Sequence, residues 1–339
     1  MPNRALVMSG GGSKGAFEVG AVDYLVRDRG LDFQVIAGVS TGSLNAVILA
    51  QGAGPEGLKA QTAALKDLWF GIHSSRDIYT SRFLGKLLVL LSKNSINSPE
   101  PLRKKLEQHV SPQRLLESGR DLRVGAVSLE SGDYIGIDQR NPSILDWTLA
   151  SSSMPVMFPP VSVGGQTAVD GGVRNITPLQ DAFAALKARA SDGTDEMYVI
   201  LASPLTILPA RGPWKTGIAV AMRSVSILTN EIFRADLEYA LAINEAVAFY
   251  GQIEQKLTQS LGRTEAARFL SSIPYPFRPP KYRYVRIWTI LPPKEYSESL
   301  EFDPLKIREA FDGGREAARH ALGEREFSGK LESVALAQA

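Results

Sequence analysis

Three short segments carry residue types and spacings suited to ester chemistry. Gly38-Val39-Ser40-Thr41-Gly42 follows the apolar run Phe33-Gln34-Val35-Ile36-Ala37. A serine at a sharp strand-to-helix turn shows its hydroxyl beyond the strand's C-terminal end, and the turn has no room for side chains two residues to either side. Gly38 and Gly42 leave that room. A helix opening at Thr41 points free N–H groups and its positive dipole end at the reacting oxygen. The same five residues also fit a plain turn with an N-capping serine. Gly10-Gly11-Gly12-Ser13-Lys14-Gly15 follows Ala5-Leu6-Val7-Met8 and satisfies G-x-G-x-x-G. A dinucleotide loop of that form asks for an acid at the end of the second strand, to hold the ribose. That strand ends Ala37-Gly38-Val39-Ser40, without one, and Lys14-Gly15 does not fit a Walker A loop. A third use is an oxyanion hole built from Gly10, Gly11, Gly12 and Lys14. Gly11 and Gly12 then donate backbone N–H groups, Gly10 shapes the loop, and Lys14 sits by the anion or anchors the loop.

Asp170-Gly171-Gly172 closes the strand-like Thr167-Ala168-Val169. Alone, Asp-Gly is ordinary turn chemistry. It gains weight because a serine nucleophile needs a base and the chain has 3 histidines. His73 falls in a loop, and His109 and His320 fall on polar stretches of expected helices. None has a glycine-flanked, strand-end setting.

These motifs need a frame of strands and helices to hold them. Residues 5–9 read as a buried strand and Ala16–Arg29 as a helix, with Phe17, Val19, Val22, Leu25 and Val26 apolar. Phe33–Val39 is a second strand and Thr41–Gln51 a second helix. That rhythm argues for a parallel sheet covered on both faces. Further helices are expected at Pro55–Phe70, Glu100–His109, Ser143–Ser151, Pro178–Ala190 and Pro304–Leu322. Leu122–Ser128 with Tyr134–Ile137, and Val161–Val163 with Thr167–Val169, read as hairpins. Met197–Ala202 and Tyr282–Leu291 read as strands. Gly217–Leu261 reads as one or two helices, its Met222, Ile227, Leu228, Ile232 and Phe233 assigned to core or partner-helix packing. Phe83–Ser92 is an apolar patch suited to a buried helix or an acyl-chain wall.

The chain has 339 residues and an ordinary globular composition, 44% apolar and 22% charged. It has no cysteine, which excludes disulfides, thiolate nucleophiles and cysteine-based zinc sites. The net charge of +2 gives no argument for nucleic acid. No signal-peptide pattern precedes the first strand, and no stretch suits a transmembrane helix. The expected location is cytoplasmic, with peripheral contact at membranes.

Taken jointly, the motifs resemble the patatin-like phospholipases. Members carry G-G-G-x-[R/K]-G near the N-terminus, then G-x-S-x-G, then D-G-[G/A], and all three stand here in that order. Leu6–Gly20, Ala37–Asn45, Ala150–Pro155, Phe158–Val161 and Asp170–Pro178 extend the likeness. It implies a three-layer α/β/α fold with a mainly parallel central sheet, as one hydrolase domain over residues 1–325. The motifs lie within 5–190, a helical and mixed part follows over 191–325, and 326–339 form a tail. The resemblance further implies a Ser40–Asp170 dyad, Gly38, Gly42, Gly171 and Gly172 as elbow and turn glycines, and neither metal nor cofactor. The implied reaction cleaves fatty-acyl esters of phospholipids or lysophospholipids through an acyl-enzyme. Two rivals stand beside it: an esterase or acyltransferase on soluble acyl donors, and a nucleotide-binding protein using Gly10–Gly15.

Overall fold

The computed structural model describes residues 2–81, 94–205, 212, 217–277 and 282–323. The apolar patch at 83–92 and the tail at 326–339 lie outside them. Eight strands build one sheet: β1 (Arg4–Met8), β2 (Val35–Val39), β3 (Asp121–Ser128), β4 (Tyr134–Asp138), β5 (Val161–Val163), β6 (Gln166–Asp170), β7 (Asp195–Ile200) and β8 (Val285–Ile290). Their order is β8-β7-β1-β2-β3-β6-β5, with β4 also beside β3. The five strands from β8 to β3 pair in parallel. The pairings of β4, β5 and β6 are antiparallel.

The helices are α1 (Gly15–Asp23), α2 (Thr41–Leu49), α3 (Gly54–Phe70), α4 (Glu100–His109), α5 (Pro112–Glu117), α6 (Ile144–Ser151), α7 (Leu179–Ala188), α8 (Gly217–Leu261), α9 (Arg263–Ser272) and α10 (Pro304–Gly323). They cover both faces of the sheet. Alternate residues of a strand point to opposite faces. Leu6, Met8 and Ile36 accordingly pack with α1, α2, α3, α6 and α10. Ala5, Val7, Val35 and Ala37 pack with α7 and α8 on the other face. Burial on both sides is why these strands read as unbroken apolar runs.

Several expected elements differ in detail. The first helix divides, because α1 widens into a π-helical turn over Tyr24–Asp28. Gly217–Leu261 is one helix rather than two. It buries a stripe of Phe233, Leu237, Ala240 and Val247, whereas Ile227 and Leu228 are exposed. Of that apolar set Phe233 packs in the core, Ile227 and Leu228 do not, and the Met222 side chain lies outside those described. The hairpin at Gly164-Gly165 forms as expected. Both glycines have positive φ, 61° and 77°, which a two-residue turn of this hand requires.

α10 crosses α1 at very short range. Backbone meets backbone at Gly314, where an added Cβ would lie 1.9 Å from the Phe17 carbonyl oxygen. Arg315 pairs with Asp23 and Asp28 beside that crossing. Gly314→Ala should therefore force the helices apart and cost about 1–3 kcal/mol, seen as a lower thermal midpoint. An unchanged midpoint would mean that the crossing gives way without cost.

Candidate active site

The dyad geometry comes from how three strands share one edge. β2 runs parallel to β3 and its last residue, Val39, pairs with Gly125. β6 runs antiparallel to β3 and its last residue, Asp170, pairs with Ala126. β4 occupies the opposite edge of β3, pairing with both Gly125 and Ala126. β2 and β6 therefore meet head-on along one edge, on consecutive rungs. The residue after Val39 is Ser40, so Ser40 and Asp170 converge. The Ser40 hydroxyl donates to Asp170 Oδ2 at 2.7 Å.

The elbow at Ser40 is strained. Its φ of 55° and ψ of −127° lie outside the regions L-residues favour, at a cost of about 1–3 kcal/mol. The glycines are needed because the turn is tight. A Cβ on Gly38 would come within 2.2 Å of the Gly42 carbonyl oxygen, and one on Gly42 within 2.4 Å of the Met8 carbonyl oxygen. The Ser40 carbonyl accepts from Ser43 N at 3.0 Å and Ser43 Oγ at 2.6 Å, which fastens the turn to α2.

One segment braces both reactive residues. Ser40 N donates to Ser151 Oγ at 3.0 Å, and Asp170 N donates to the Ser153 carbonyl at 3.1 Å. The role of these serines was not legible in the sequence, where 150–155 stood out only as part of a family likeness. Asp170 Oδ1 accepts from Gly172 N at 2.8 Å, which holds the carboxyl plane toward the serine. Burial raises the Asp170 pKa from 3.8 to about 6, against the lowering effect of the Ser40 and Gly172 hydrogen bonds.

The glycine loop lies beside the serine. The Gly10 N–H donates to the Ile176 carbonyl at 3.2 Å, so Gly10 shapes the loop and its donor is taken. Gly11 lines the cavity that holds Ser40 and Asp170. Among the described residues the Gly11 and Gly12 N–H groups have no acceptor. Gly12 turns with φ of 63° against Ser299. Lys14 anchors: its Nζ donates to Ser203 Oγ at 3.0 Å and pairs with Glu295 at 2.8 Å. The N–H of Ser13, where a nucleotide phosphate would dock, already donates to the Ser299 carbonyl at 2.8 Å. This occupancy weighs against the nucleotide reading of the loop.

The cavity has a volume of about 500 Å3. Its far walls come from parts of the chain that carry no motif: Leu201 and Ser203 after β7, Thr229 and Phe233 on α8, and the 295–299 segment. Val173, just past the aspartate turn, lines it and is largely exposed. His73, His109 and His320 are exposed, and none lines this cavity. Among the described residues, no helix is long and apolar enough to cross a membrane.

A doubly wound sheet with a serine elbow, a facing carboxylate and a glycine loop defines a class of α/β hydrolytic enzymes. The sequence matches the patatin-like phospholipase family over residues 6–183, a little over half of the chain. The protein belongs to that family, whose members are lipid hydrolases. Solved structures that align with this chain include VipD from Legionella pneumophila, at 15% identity and a TM-score of 0.45, covering 95% of this chain and 67% of that one. The type III effector protein ExoU aligns at 12% identity and 0.39, covering 99% and 56%. ExoU in complex with SpcU, from Pseudomonas aeruginosa, aligns at 13% and 0.31, covering 80% and 60%. This chain thus spans little more than half the length of ExoU.

The shifted carboxyl has a thermodynamic consequence. A folded-state pKa above the unfolded value stabilises the fold fully below about pH 3.9, and that contribution is lost as pH rises through about 6. At neutral pH the loss is about 3 kcal/mol. Asp170→Asn escapes it. The variant's thermal midpoint should rise relative to wild type as pH goes from 4 to 8. A gap that stays constant over that range would show that the carboxyl is not desolvated.

Proposed function

We propose that the protein hydrolyses fatty-acyl esters of phospholipids or lysophospholipids through a Ser40–Asp170 dyad and an acyl-enzyme. The observation that carries this reading is the 2.7 Å hydrogen bond from Ser40 to a buried, strand-end carboxylate inside a cavity beside a glycine loop. In the first half-reaction Asp170 takes the proton as Ser40 Oγ attacks the ester carbonyl carbon. Negative charge grows on the carbonyl oxygen, for which the N–H groups of Gly11 and Gly12, without an acceptor among the described residues, would be the donors. Asp170 then hands its proton to the departing alkoxide, leaving an acyl group on Ser40. In the second half, water loses a proton to Asp170 and attacks the acyl carbonyl. The fatty acid leaves and Ser40 regains its proton from Asp170.

A carboxylate of ordinary pKa is a poor base for a serine hydroxyl. Burial makes Asp170 a better one while leaving it ionised at pH 7. Apolar Met154, Ile176, Leu201 and Phe233 in the walls suit an acyl chain. Exposed Val173, Ile227 and Leu228 supply apolar surface for transient contact with a membrane carrying the substrate.

Product mass spectrometry on mixed membrane lipids tests the reading, with Ser40→Ala as control. Released fatty acid that disappears in the variant is expected. Release that persists in Ser40→Ala would refute it, and turnover of short nitrophenyl esters alone would favour soluble acyl donors. Because the base must be ionised, kcat/KM should rise with pH through an apparent pKa of about 6. Asp170→Asn should lower the rate by about 10²-fold or more. A pH profile flat between 5 and 8 would speak against Asp170 as the base.

The dyad makes histidine dispensable. In a triad, histidine carries the proton from serine to the leaving group. Replacing His73, His109 and His320 together by Gln should leave the rate within about tenfold, or about 1.4 kcal/mol of barrier. A folded but inactive triple variant would mean that one of them shuttles the proton.

A further inference from the structure

Glu18 is a carboxyl that the proposed chemistry does not use, and it stands in a telling place. It lies on the first turn of α1, directly after the glycine loop, and is fully buried. Its Oε2 accepts from Asn45 Nδ2 at 3.0 Å, and its Oε1 has no partner among the described residues. The Asn45 amide also donates to the Gly15 carbonyl at 3.3 Å, and its Oδ1 accepts from Trp69 Nε1 at 2.9 Å. An indole nitrogen only donates, so the amide has one orientation, and it directs its N–H groups at Gly15 and Glu18. Asn45 sits on α2, the helix that opens at Ser40.

Ser9 is a neighbour of the Glu18 carboxyl, but its amide donates to the Ile200 carbonyl at 3.2 Å and its hydroxyl to the Gly10 carbonyl at 3.4 Å. Ser9 lines the cavity, directly precedes Gly10, and its Oγ accepts from Ala202 N at 2.9 Å. Burial holds the Glu18 carboxyl well above the usual carboxylate range.

We propose that Glu18 is a positioning residue: its carboxyl holds the Asn45 amide of the nucleophile helix against Gly15 at the end of the oxyanion loop, and so sets the Gly11 N–H against Ser40 Oγ. This rests on the hydrolase reading above. The donors must sit within a few tenths of an ångström of the developing oxyanion, and a loop rich in glycine does not hold that position alone. The Glu18–Asn45 bond lies outside the substrate cavity, so its loss falls on kcat and not on KM.

The test is steady-state kinetics on one ester substrate with wild type, Glu18→Gln and Glu18→Leu. Gln keeps an acceptor for the Asn45 amide, and its kcat should stay within about threefold. Leu fills the space without hydrogen bonds, and its kcat should fall at least tenfold at unchanged KM. Should the Leu variant melt below wild type, Glu18→Met replaces it as a flexible apolar filler with the same expected outcome. A Leu or Met variant as fast as wild type, a Gln variant as slow as Leu, or a loss confined to KM would overturn the proposal. An inactive wild type would refute the hydrolase reading itself. Indifference of an active enzyme to Glu18→Leu refutes only the positioning role.

Discussion

Everything at the site depends on two strands ending against each other beside β3. Val39 pairs with Gly125 and Asp170 with Ala126, so neighbouring rungs of one strand fix both termini. Backbone hydrogen bonding sets such spacing with little freedom. Ser40 and Asp170 come from positions 130 apart in sequence, yet their separation is decided by one step along β3. The braces from Ser151 and Ser153 then reinforce the two ends from the same short segment. A conventional triad gains reach through an imidazole; here the backbone itself brings the Ser40 hydroxyl and the Asp170 carboxylate into contact.

That arrangement concentrates unfavourable terms in a small volume. Ser40 holds a strained backbone, Asp170 is a desolvated carboxyl, and Glu18 is a second one behind the loop. Each would cost stability if it stood alone in a small protein. The surrounding core offsets them: both faces of the sheet carry apolar clusters that run directly beneath the motifs. The same burial that costs stability raises the basicity of Asp170. Function and destabilisation therefore share one physical cause, the exclusion of water.

The chain beyond the family match completes the cavity and does not merely trail from it. Lys14 is held by Ser203 and Glu295, and Ser13 by Ser299 and Glu298. These contacts press the glycine loop from outside and leave its inner face open to the serine. α8 lends Phe233 and Thr229 to the far wall. The shape of the cavity is accordingly written in parts of the sequence that carry no motif.

What the sequence determined by itself was local. The elbow at Ser40, the glycines at 38 and 42, the loop at Gly10–Gly15 and the Asp-Gly turn are each demands of a few consecutive residues on their own backbone, and such demands show as residue type and spacing. The alternating strand-and-helix order, and with it the mainly parallel sheet, was legible for the same reason. Only the tertiary structure decided that β6 abuts β2 on one edge of β3, that Ser151 and Ser153 brace Ser40 and Asp170, that Lys14 is held by Ser203 and Glu295, and that Glu18 meets Asn45. None of these leaves a periodic or compositional trace, because each depends on which distant strand or helix arrives beside it. Ile227 and Leu228 show the same limit in reverse: their apolar side chains suit a core or a partner helix alike, and burial is set by what packs against a helix, which here leaves both exposed.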